Sequence, residues 1–301
     1  MDRYQEFRET VYHPTNVIRT IDAVTAEVRE AQPRDAVKWP RGYRVANGGG
    51  GGTYDTEIQW KKTWYSNRLD FIDTNFLARP RLNTNGGMIQ PGFQLVLTPP
   101  TEPGSSMYYT LDGSDPRALY GGIGTNARLY AGPITLSNNT RVVTRSYNAS
   151  HRNLTGSLKP PISVPWSGPK AATFVVHTPD LIVTELMYHP AAPVSLSDTN
   201  DADNFEYIEL KNIGSNTLNL AGFSFTNGID FTFPTNLNSI VAPGGYVLVV
   251  KDTLAFFFRY GAAANIAGQY GGNFDNNGER VTLIGPALEP VIDFTYQDGW
   301  Y

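Results

Sequence analysis

The chain has 301 residues, of which 41 % are hydrophobic and 17 % are charged. This length and composition indicate a folded protein of two or three domains and exclude a disordered chain. The absence of cysteine excludes disulfides, thiolate zinc sites and thiol nucleophiles. No run of about 18 apolar residues occurs, so we expect no membrane insertion, and the N-terminal MDRYQEFRET is not a signal peptide.

The net charge of −4 is distributed unevenly along the chain. Residues 1–80 carry 12 Lys/Arg against 11 Asp/Glu, residues 81–175 carry 8 against 3, and residues 176–301 carry 4 against 14. A basic region followed by an acidic one predicts separate domains that attract each other. No dense Lys/Arg stripe is interleaved with aromatic residues, so we expect no nucleic-acid partner.

Residues 1–80 form the predicted helical segment. Thr15 is a candidate N-cap for a helix that ends before Pro33, and a second helix is predicted over about 55–77. The glycine run NGGGGG at 47–52 is predicted to be a linker or loop tip. The pattern VIRTIDAVTAEVREAQPRDAVKW, followed by EIQWKKTWYSNRLDFIDTNF, resembles the C-terminal helices of CotH-type kinase-like proteins. The nucleotide-binding and metal-binding residues of that family lie upstream of this tail, so none is carried over.

Residues 81–176 change to short strands separated by turn residues. GFQLVLTPP alternates as a half-buried strand, Asp112-Gly113 predicts a turn, and Asp115-Pro116 predicts an Asx-type stop. YYTLDGSDPR, followed by LYAGPITL and TRVVTRSYN, resembles the C-terminal domain of chitobiase/β-hexosaminidase. That resemblance implies an immunoglobulin-like accessory module without a catalytic role.

Residues 177–301 form the second predicted β domain. The sequence VTELMYHP, EYIELKNIG, LNLAGFSF, APGGYVLVV, FDNNGERVTLIG and VIDFTY resembles the lamin tail domain along nearly the whole length of that family. The resemblance implies an immunoglobulin-like sandwich, which we expect to be truncated at its C-terminal end. The predicted fold class is therefore mainly β, with two immunoglobulin-like β-sandwich domains in tandem after a short α-helical segment.

Two groups of residues are candidate binding sites. Oxygen ligands alternate in the acidic loop DTNDAD, whose Asp198, Asp201 and Asp203 form a candidate irregular calcium site, although the loop departs from the EF-hand pattern and also reads as a solvated loop. Trp166, Tyr109 and Tyr130 are candidates for stacking on a sugar, because aromatic faces suit its C–H groups. The alternative for these aromatic residues is core packing, with Trp166 expected to be exposed or wedged between domains.

No catalytic constellation is recognised, and no cofactor is expected apart from the calcium. Glu185, Glu206 and Glu209 lie in strand patterns and are interpreted as structural. We therefore expect a non-enzymatic part of an extracellular or cell-surface bacterial protein, with an export signal outside this chain. Its partners would be other protein domains, copies of itself or a glycan. The alternatives are the C-terminal remnant of a CotH-type protein kinase and a carbohydrate-binding accessory module.

Overall fold

The computed structural model describes residues 2–40, 52–151, 164–193, 200–262 and 265–299. Helices occupy the N-terminal part and strands most of the rest, which confirms the predicted fold class: two immunoglobulin-like sandwiches in tandem after a short helical segment. The chain divides into two compact units, each assembled from several stretches. Unit 1 comprises Met1–Thr84, Leu95–Ile134 and Val142–Ala171, and unit 2 comprises Asn85–Gln94, Thr135–Arg141 and Ala172–Tyr301.

In the described part of the chain, four helices precede the first strand: α1 (Asp2–Arg8), α2 (Pro14–Val28), α3 (Gln32–Lys38) and α4 (Tyr54–Asp73). The helix predicted before Pro33 corresponds to α2, which begins at Pro14 and ends five residues short of Pro33. Pro33 lies in the first turn of α3, where its missing N–H costs nothing. None of the described helices is long and apolar enough to cross a lipid bilayer.

Helix α4 begins with a reciprocal cap. The Thr53 hydroxyl accepts a hydrogen bond from the Thr56 N–H at 3.2 Å, and the Thr56 hydroxyl accepts one from the Thr53 N–H at 2.8 Å. Two of the four N–H groups that a helix start leaves unpaired are thereby satisfied. The helix starts one residue before the predicted 55 and ends four residues before the predicted 77.

Helix α1 is not predicted from the sequence, and tertiary contacts within unit 1 hold it. The buried Gln5 side chain donates to the Leu77 carbonyl at 3.1 Å and accepts from the Gly168 N–H at 2.5 Å. Arg8 pairs with Asp73 of α4 at 2.8 Å. A helix of seven residues is only marginally stable by itself, so these side-chain bonds supply stability that its short length does not.

The first β region contains nine short strands among its described residues, which exclude 152–163. They are β1 (Arg81–Leu82), β2 (Gly87–Met88), β3 (Phe93–Leu95), β4 (Leu97–Thr98), β5 (Ser106–Thr110), β6 (Arg128–Leu129), β7 (Ile134–Leu136), β8 (Thr140–Tyr147) and β9 (Lys170–Val175). A five-stranded sheet has the order β2-β9-β8-β5-β6, and two-stranded sheets are formed by β1-β4 and β3-β7. Strand β6 therefore lies at one edge of the five-stranded sheet.

The second sandwich lies in unit 2. Its strands are β10 (Leu181–Met187), β11 (Tyr207–Asn212), β12 (Leu218–Asn219), β13 (Ser224–Asn227), β14 (Phe231–Thr232), β15 (Ile240–Val241), β16 (Tyr246–Val250), β17 (Ile266–Gln269), β18 (Arg280–Ile284) and β19 (Pro290–Thr295). One sheet has the order β10-β11-β16-β17 and the other β14-β13-β18-β19, while β12 pairs with β15. Helix α5 (Thr253–Tyr260) makes the crossover between the parallel strands β16 and β17.

Alternation along the strands decides what enters the core of this sandwich. On β11, Ile208 and Leu210 point into the apolar cluster between the two sheets, with Val247 and Val249 of β16 beside them. On the opposite face, Tyr207 packs with Phe256 of α5, together with Leu248 and Val250. The sheet of β10 is therefore covered on both faces, by the second sheet and by α5.

Candidate functional site

A groove of about 650 Å³ opens in unit 2 between β10 and β19. Each of these strands stands at the end of its sheet order, so within the described residues each has a strand neighbour on one side only. The lining comes from β10, the two residues after it and one side chain of β19: Val183, Thr184, Glu185, Leu186, Met187, Tyr188, His189 and Phe294. Within the described residues, the groove therefore lies on the side of the sandwich where β10 and β19 have no further strand beside them.

The floor of the groove is apolar. Val183, Leu186 and Phe294 are half-buried and pack against the core between the two sheets. Tyr188 is almost fully buried, and its ring centroid lies 4.7 Å from that of Tyr296. An extended segment laid in the groove would cover this apolar surface and meet the outer edge of β10 or β19, which is the arrangement used when a peptide adds a strand to a sheet.

A β-bulge shapes the β10 side of the groove. The pairing with β11 shifts between Val183 and Glu185, which leaves Thr184 as the extra residue. The Thr184 hydroxyl donates to the Glu209 carboxylate at 2.6 Å. A bulge of this kind bends an edge strand and interrupts its ladder, so strand addition is directed to the part of β10 on either side of Thr184.

Two carboxylates near the groove have structural partners. Glu185 and Glu209 are cross-strand neighbours, an arrangement that is unfavourable for like charges. Each carboxylate accepts a hydrogen bond from a different hydroxyl group: Tyr207 donates to Glu185 at 2.6 Å, and Thr184 donates to Glu209. Burial and the Glu185 carboxylate both raise the pKa of Tyr207, so its hydroxyl stays a donor. This geometry agrees with the structural interpretation of these glutamates.

Glu206 is the most perturbed acid in the described part of the chain. It is 1 % exposed, and its Oε2 accepts from the Tyr270 hydroxyl at 2.7 Å and the Phe274 N–H at 3.1 Å. Burial raises the pKa of Glu206 to about 7, and the negative charge of Asp203 adds to the rise. The Tyr270 and Phe274 hydrogen bonds and the Lys251 charge oppose it without cancelling it.

The special environment of Glu206 was not predicted, although it was grouped with the structural glutamates. The signal available in the sequence is an acid set directly between Phe205 and Tyr207 in an apolar run. The partners Tyr270 and Phe274 lie more than sixty residues away, so no local pattern indicates them. Glu206 lies in the core and does not face the groove. Its Oε2 accepts two hydrogen bonds, and its Oε1 is buried without a partner among the described residues.

The prediction that Trp166 is exposed or wedged between domains is wrong. Its side chain is fully buried in unit 1, its ring centroid lies 4.7 Å from that of Tyr147, and its indole N–H donates to the Gly121 carbonyl at 2.7 Å. Trp166 therefore offers no ring face to a sugar. The prediction failed because WSGP in a proline-rich run is typical of a surface linker. An indole can nevertheless be buried when its N–H has a hydrogen-bond partner.

The structure brings the other two sugar candidates together. Tyr109 and Tyr130 are half-buried, with ring centroids 6.5 Å apart in an edge-to-face contact. The Tyr130 hydroxyl accepts from the Leu97 N–H at 3.1 Å. These contacts are those of packed strand residues, and a sugar-binding role for Tyr109 and Tyr130 stays a prediction.

Of the three residues predicted to bind calcium, the structure describes Asp201 and Asp203, and Asp198 lies outside the described residues. Asp201 caps a short 3₁₀ helix over Ala202–Phe205, and its side chain accepts from the Asp203 N–H. Asp203 accepts from the Asn273 amide at 3.1 Å. Within the described residues no three acids or histidines stand together as a metal site would require. A site that includes Asp198 stays a prediction.

The sandwich with this groove lies within a stretch of the chain that matches a family model. Residues 176–298 match the family model described as Lamin Tail Domain. The predicted lamin-tail resemblance is thus confirmed. Residues 95–157 match the model described as Fn3 associated. Neither match concerns CotH-type or chitobiase proteins, so those two resemblances stay predictions, as does the division at residues 80 and 176.

Whole-chain comparisons add little. No curated protein matches the chain. A DUF4876 family protein from Bacteroides thetaiotaomicron VPI-5482 is 14 % identical, with 50 % of this chain and 46 % of that chain covered and a TM-score of 0.20. A protocadherin gammaB7 EC3-6 cis-dimer structure is 13 % identical, with 72 % and 46 % covered and a TM-score of 0.16. The chain spans about half the length of either, and TM-scores this low support no argument about fold or function.

Proposed function

We propose that this chain is a non-catalytic structural part of a larger extracellular bacterial surface protein and that its lamin-tail sandwich mediates assembly. The observation that supports the proposal is the groove between β10 and β19, an apolar cleft flanked by two edge strands. Edge strands beside exposed apolar surface are sites of strand addition. The family matches at residues 95–157 and 176–298 support a structural role for these parts of the chain.

The occupant that we propose for the groove is strand β6 of a second copy of this chain. Arg128 and Leu129 of β6 are both exposed, and Leu129 is 58 % exposed on a strand at the edge of its own sheet. In an extended segment, Leu129 would enter the apolar floor while Arg128, on the opposite face, would lie near the carboxylate of Glu185.

Charge complementarity favours a second copy over an unrelated partner. Residues 81–175, which include β6, carry 8 Lys/Arg against 3 Asp/Glu, whereas residues 176–301 carry 4 against 14. The basic region of one copy is therefore attracted to the acidic region of the next. Because β6 and β10 are different surfaces, one contact leaves a second β6 and a second groove unoccupied, so repetition would give a reciprocal two-fold dimer, a ring or an open filament.

The experiment is sedimentation velocity of the intact protein over a range of concentrations at about 50 mM and about 500 mM salt, since the Debye length falls from roughly 14 Å to 4 Å over this range. We expect oligomers at low salt that dissociate at high salt. Leu129→Asp and Leu186→Lys should each abolish association, while Ile213→Lys, an exposed apolar residue outside the groove, should leave it unchanged.

A charge exchange tests the register. Arg128→Glu and Glu185→Lys should each weaken association, and the double variant should recover at least part of it, because the exchanged charges attract again. Thermal melts of each variant separate loss of association from loss of folding. A protein that stays monomeric at low salt and high concentration, or a double variant no better than either single one, would refute the assembly proposal.

The CotH resemblance of residues 1–80 is the ground for a second proposal. We propose that residues 1–80 form the end of a kinase-like domain, a reading supported by the helical pattern of α2 and α4 and by nothing in the site geometry. Calorimetry with ATP and Mg²⁺ or Mn²⁺ tests this chain directly. Heat of binding would favour a nucleotide-binding remnant, and no heat would leave the structural proposal for this chain.

A further inference from the structure

A tight loop in unit 1 presents one aromatic ring to solvent. Tyr120, in the loop between residues 117 and 123, has a side chain that is fully exposed. Its φ of 65° and ψ of 11° lie in the left-handed region, which residues with a side chain rarely adopt. An exposed aromatic residue held in a disfavoured backbone conformation is an observation that calls for a functional explanation.

Hydrogen bonds fix the loop on both sides of Tyr120. Arg117 and Ile123 form an antiparallel bridge, and the Ala118 N–H donates to the Gly122 carbonyl at 2.9 Å. The Gly121 carbonyl accepts from the indole N–H of the buried Trp166 at 2.7 Å. The ring therefore projects from a loop whose base is tied to the core, so little conformational freedom is left to lose on binding.

A concavity of about 620 Å³ adjoins the ring. Its lining combines apolar groups with one guanidinium and one carboxylate: Asp115, Arg117, Ala118, Leu119, Tyr120, Gly121, Val164, Pro165 and Trp166. This volume is in the range of small-molecule sites, which are mostly apolar with a few fixed polar groups. The combination predicts a ligand with both an apolar face and hydrogen-bonding groups.

The polar groups of the concavity are oriented and have bonding capacity left. Arg145, itself almost fully buried, holds both oxygens of Asp115, at 2.6 and 2.5 Å. Arg117 donates from Nη2 to Asp2 at 2.8 Å, and its Nε and Nη1 have no partner among the residues that the structure describes. A carboxylate and a guanidinium that line the same concavity can bind neighbouring hydroxyl groups as acceptor and donor.

Among the described residues that line the concavity or pair with its lining, the charges cancel, which favours a neutral ligand. Arg117 and Arg145 supply two positive charges, and Asp2 and Asp115 supply two negative ones. A phosphate or a strongly charged peptide would meet no net opposite charge here. We propose that the Tyr120 loop is a binding site for a neutral oligosaccharide, with the Tyr120 ring stacked on one face of a pyranose and Asp115 and Arg117 bound to its hydroxyls.

The experiment is binding of the intact protein to an array of neutral oligosaccharides, two to six units long, built from glucose, N-acetylglucosamine, mannose, galactose or xylose, alongside sulfated and uronic-acid oligosaccharides. The best neutral binder is then measured by calorimetry. Tyr120→Ala should weaken binding about tenfold or more, and Tyr120→Phe, which keeps the ring, should stay within about threefold. Arg117→Ala should also weaken binding.

Two controls separate stacking from folding. Tyr246→Ala removes a tyrosine that is 43 % exposed in unit 2 and should leave binding unchanged. Thermal melts of the Tyr120 variants should coincide with that of the wild type, because Ala and Phe both meet the same left-handed backbone. Absence of binding to every neutral oligosaccharide, binding confined to anionic ones, or equal affinity of Tyr120→Ala and wild type would overturn the proposal.

Discussion

Arg145 and Asp115 form a two-bond ion pair in unit 1, with Nε donating to Oδ1 at 2.6 Å and Nη2 to Oδ2 at 2.5 Å. Asp2 of α1 accepts two more bonds from the same guanidinium, at 3.1 and 3.0 Å. Burial by itself would lower the pKa of Arg145, but the bonds to Asp115 and Asp2 outweigh it and the pKa is raised. One side chain of β8 thus holds both the DGSDPR turn and the N-terminal helix.

Replacing Arg145 should therefore destabilise unit 1 strongly. Arg145→Met keeps much of the length but leaves Asp115 without its cation and Asp2 with Arg117 alone. We expect the free energy of unfolding to fall by about 3 kcal/mol, measured by urea unfolding followed by tryptophan fluorescence. Arg19→Met, on the exposed face of α2, is the matched control and should change stability by less than about 0.5 kcal/mol. Equal midpoints for the two variants would contradict the role of Arg145.

Glu206 should make the stability of the lamin-tail sandwich depend on pH. Its folded-state pKa of about 7 lies above the ordinary value of 4.5, so the folded state binds the proton more tightly than the unfolded state. The stabilisation is complete below about pH 4.5, is lost as pH rises through 7, and amounts to roughly 3 kcal/mol at most. The measurement is the free energy of unfolding between pH 5 and pH 8 at constant ionic strength, with pH steps of about half a unit.

Glu206→Gln provides the comparison for this pH dependence. Its amide oxygen can accept from Tyr270 and Phe274 as the carboxylate does, and the amide does not titrate in this range. The fall in stability between about pH 5 and pH 8 should be smaller in Glu206→Gln than in the wild type. Parallel pH profiles for the two proteins would show that another group carries the effect.

A side chain at Gly285 should be destabilising, because Glu289 folds back over this glycine and would have to move. A Cβ at Gly285 would lie 2.3 Å from Oε1 of Glu289 and 2.4 Å from its carboxyl carbon. The same Oε1 accepts from the Asn139 amide at 2.9 Å within unit 2, so displacing Glu289 breaks that bond. We expect Gly285→Ala to lower the thermal midpoint by an amount equivalent to about 2 kcal/mol.

Gly132→Ala is the matched control for Gly285→Ala. An added Cβ at Gly132 meets no heavy atom of the described residues within 4 Å beyond its chain neighbours. The substitution should be neutral or stabilising by about 0.5 kcal/mol, because alanine has less freedom to lose on folding. A Gly285→Ala protein as stable as Gly132→Ala would mean that Glu289 can move without cost.

The cap of α4 gives a local prediction. Thr53→Ala removes the hydroxyl that accepts from the Thr56 N–H and should cost about 1 kcal/mol. Thr63→Ala, in the middle of the same exposed helix, should raise the free energy of unfolding by about 0.3 kcal/mol, because alanine is the better helix former. Chemical unfolding followed by circular dichroism at 222 nm measures both, and a Thr63→Ala loss equal to that of Thr53→Ala would refute the cap.

The strands of the second sandwich were predictable because their pattern is local. In YIELKN, alternation alone places Ile208 and Leu210 on one face and Tyr207 and Glu209 on the other, and both faces are found where expected. Local sequence also accounts for helix α5, which begins after the capping Asp252 and ends before Gly261. Strand β17 was missed, since IAGQ is short, contains glycine and is held by its parallel partner β16.

The candidate sites were less predictable because they depend on burial and on long-range pairing. Trp166 in a proline-rich run and Tyr120 in a glycine-rich one look alike in sequence, yet one is fully buried and the other fully exposed. The difference is set by the bond from the Trp166 indole to Gly121, 45 residues away in the chain. Only folding decides which aromatic ring faces solvent.

The sequence by itself determined the periodic properties of this protein: where most strands of the second sandwich lie, which face of those strands is apolar, and that basic residues prevail over 81–175 and acidic ones over 176–301. These follow from neighbouring residues, because a strand repeats every two residues whatever it packs against. The tertiary structure alone decided the rest: the open groove between β10 and β19, the proton affinity of Glu206, and the two carboxylates gathered on Arg145. Each depends on groups brought together from distant parts of the chain, where burial sets the strength of their charges and hydrogen bonds.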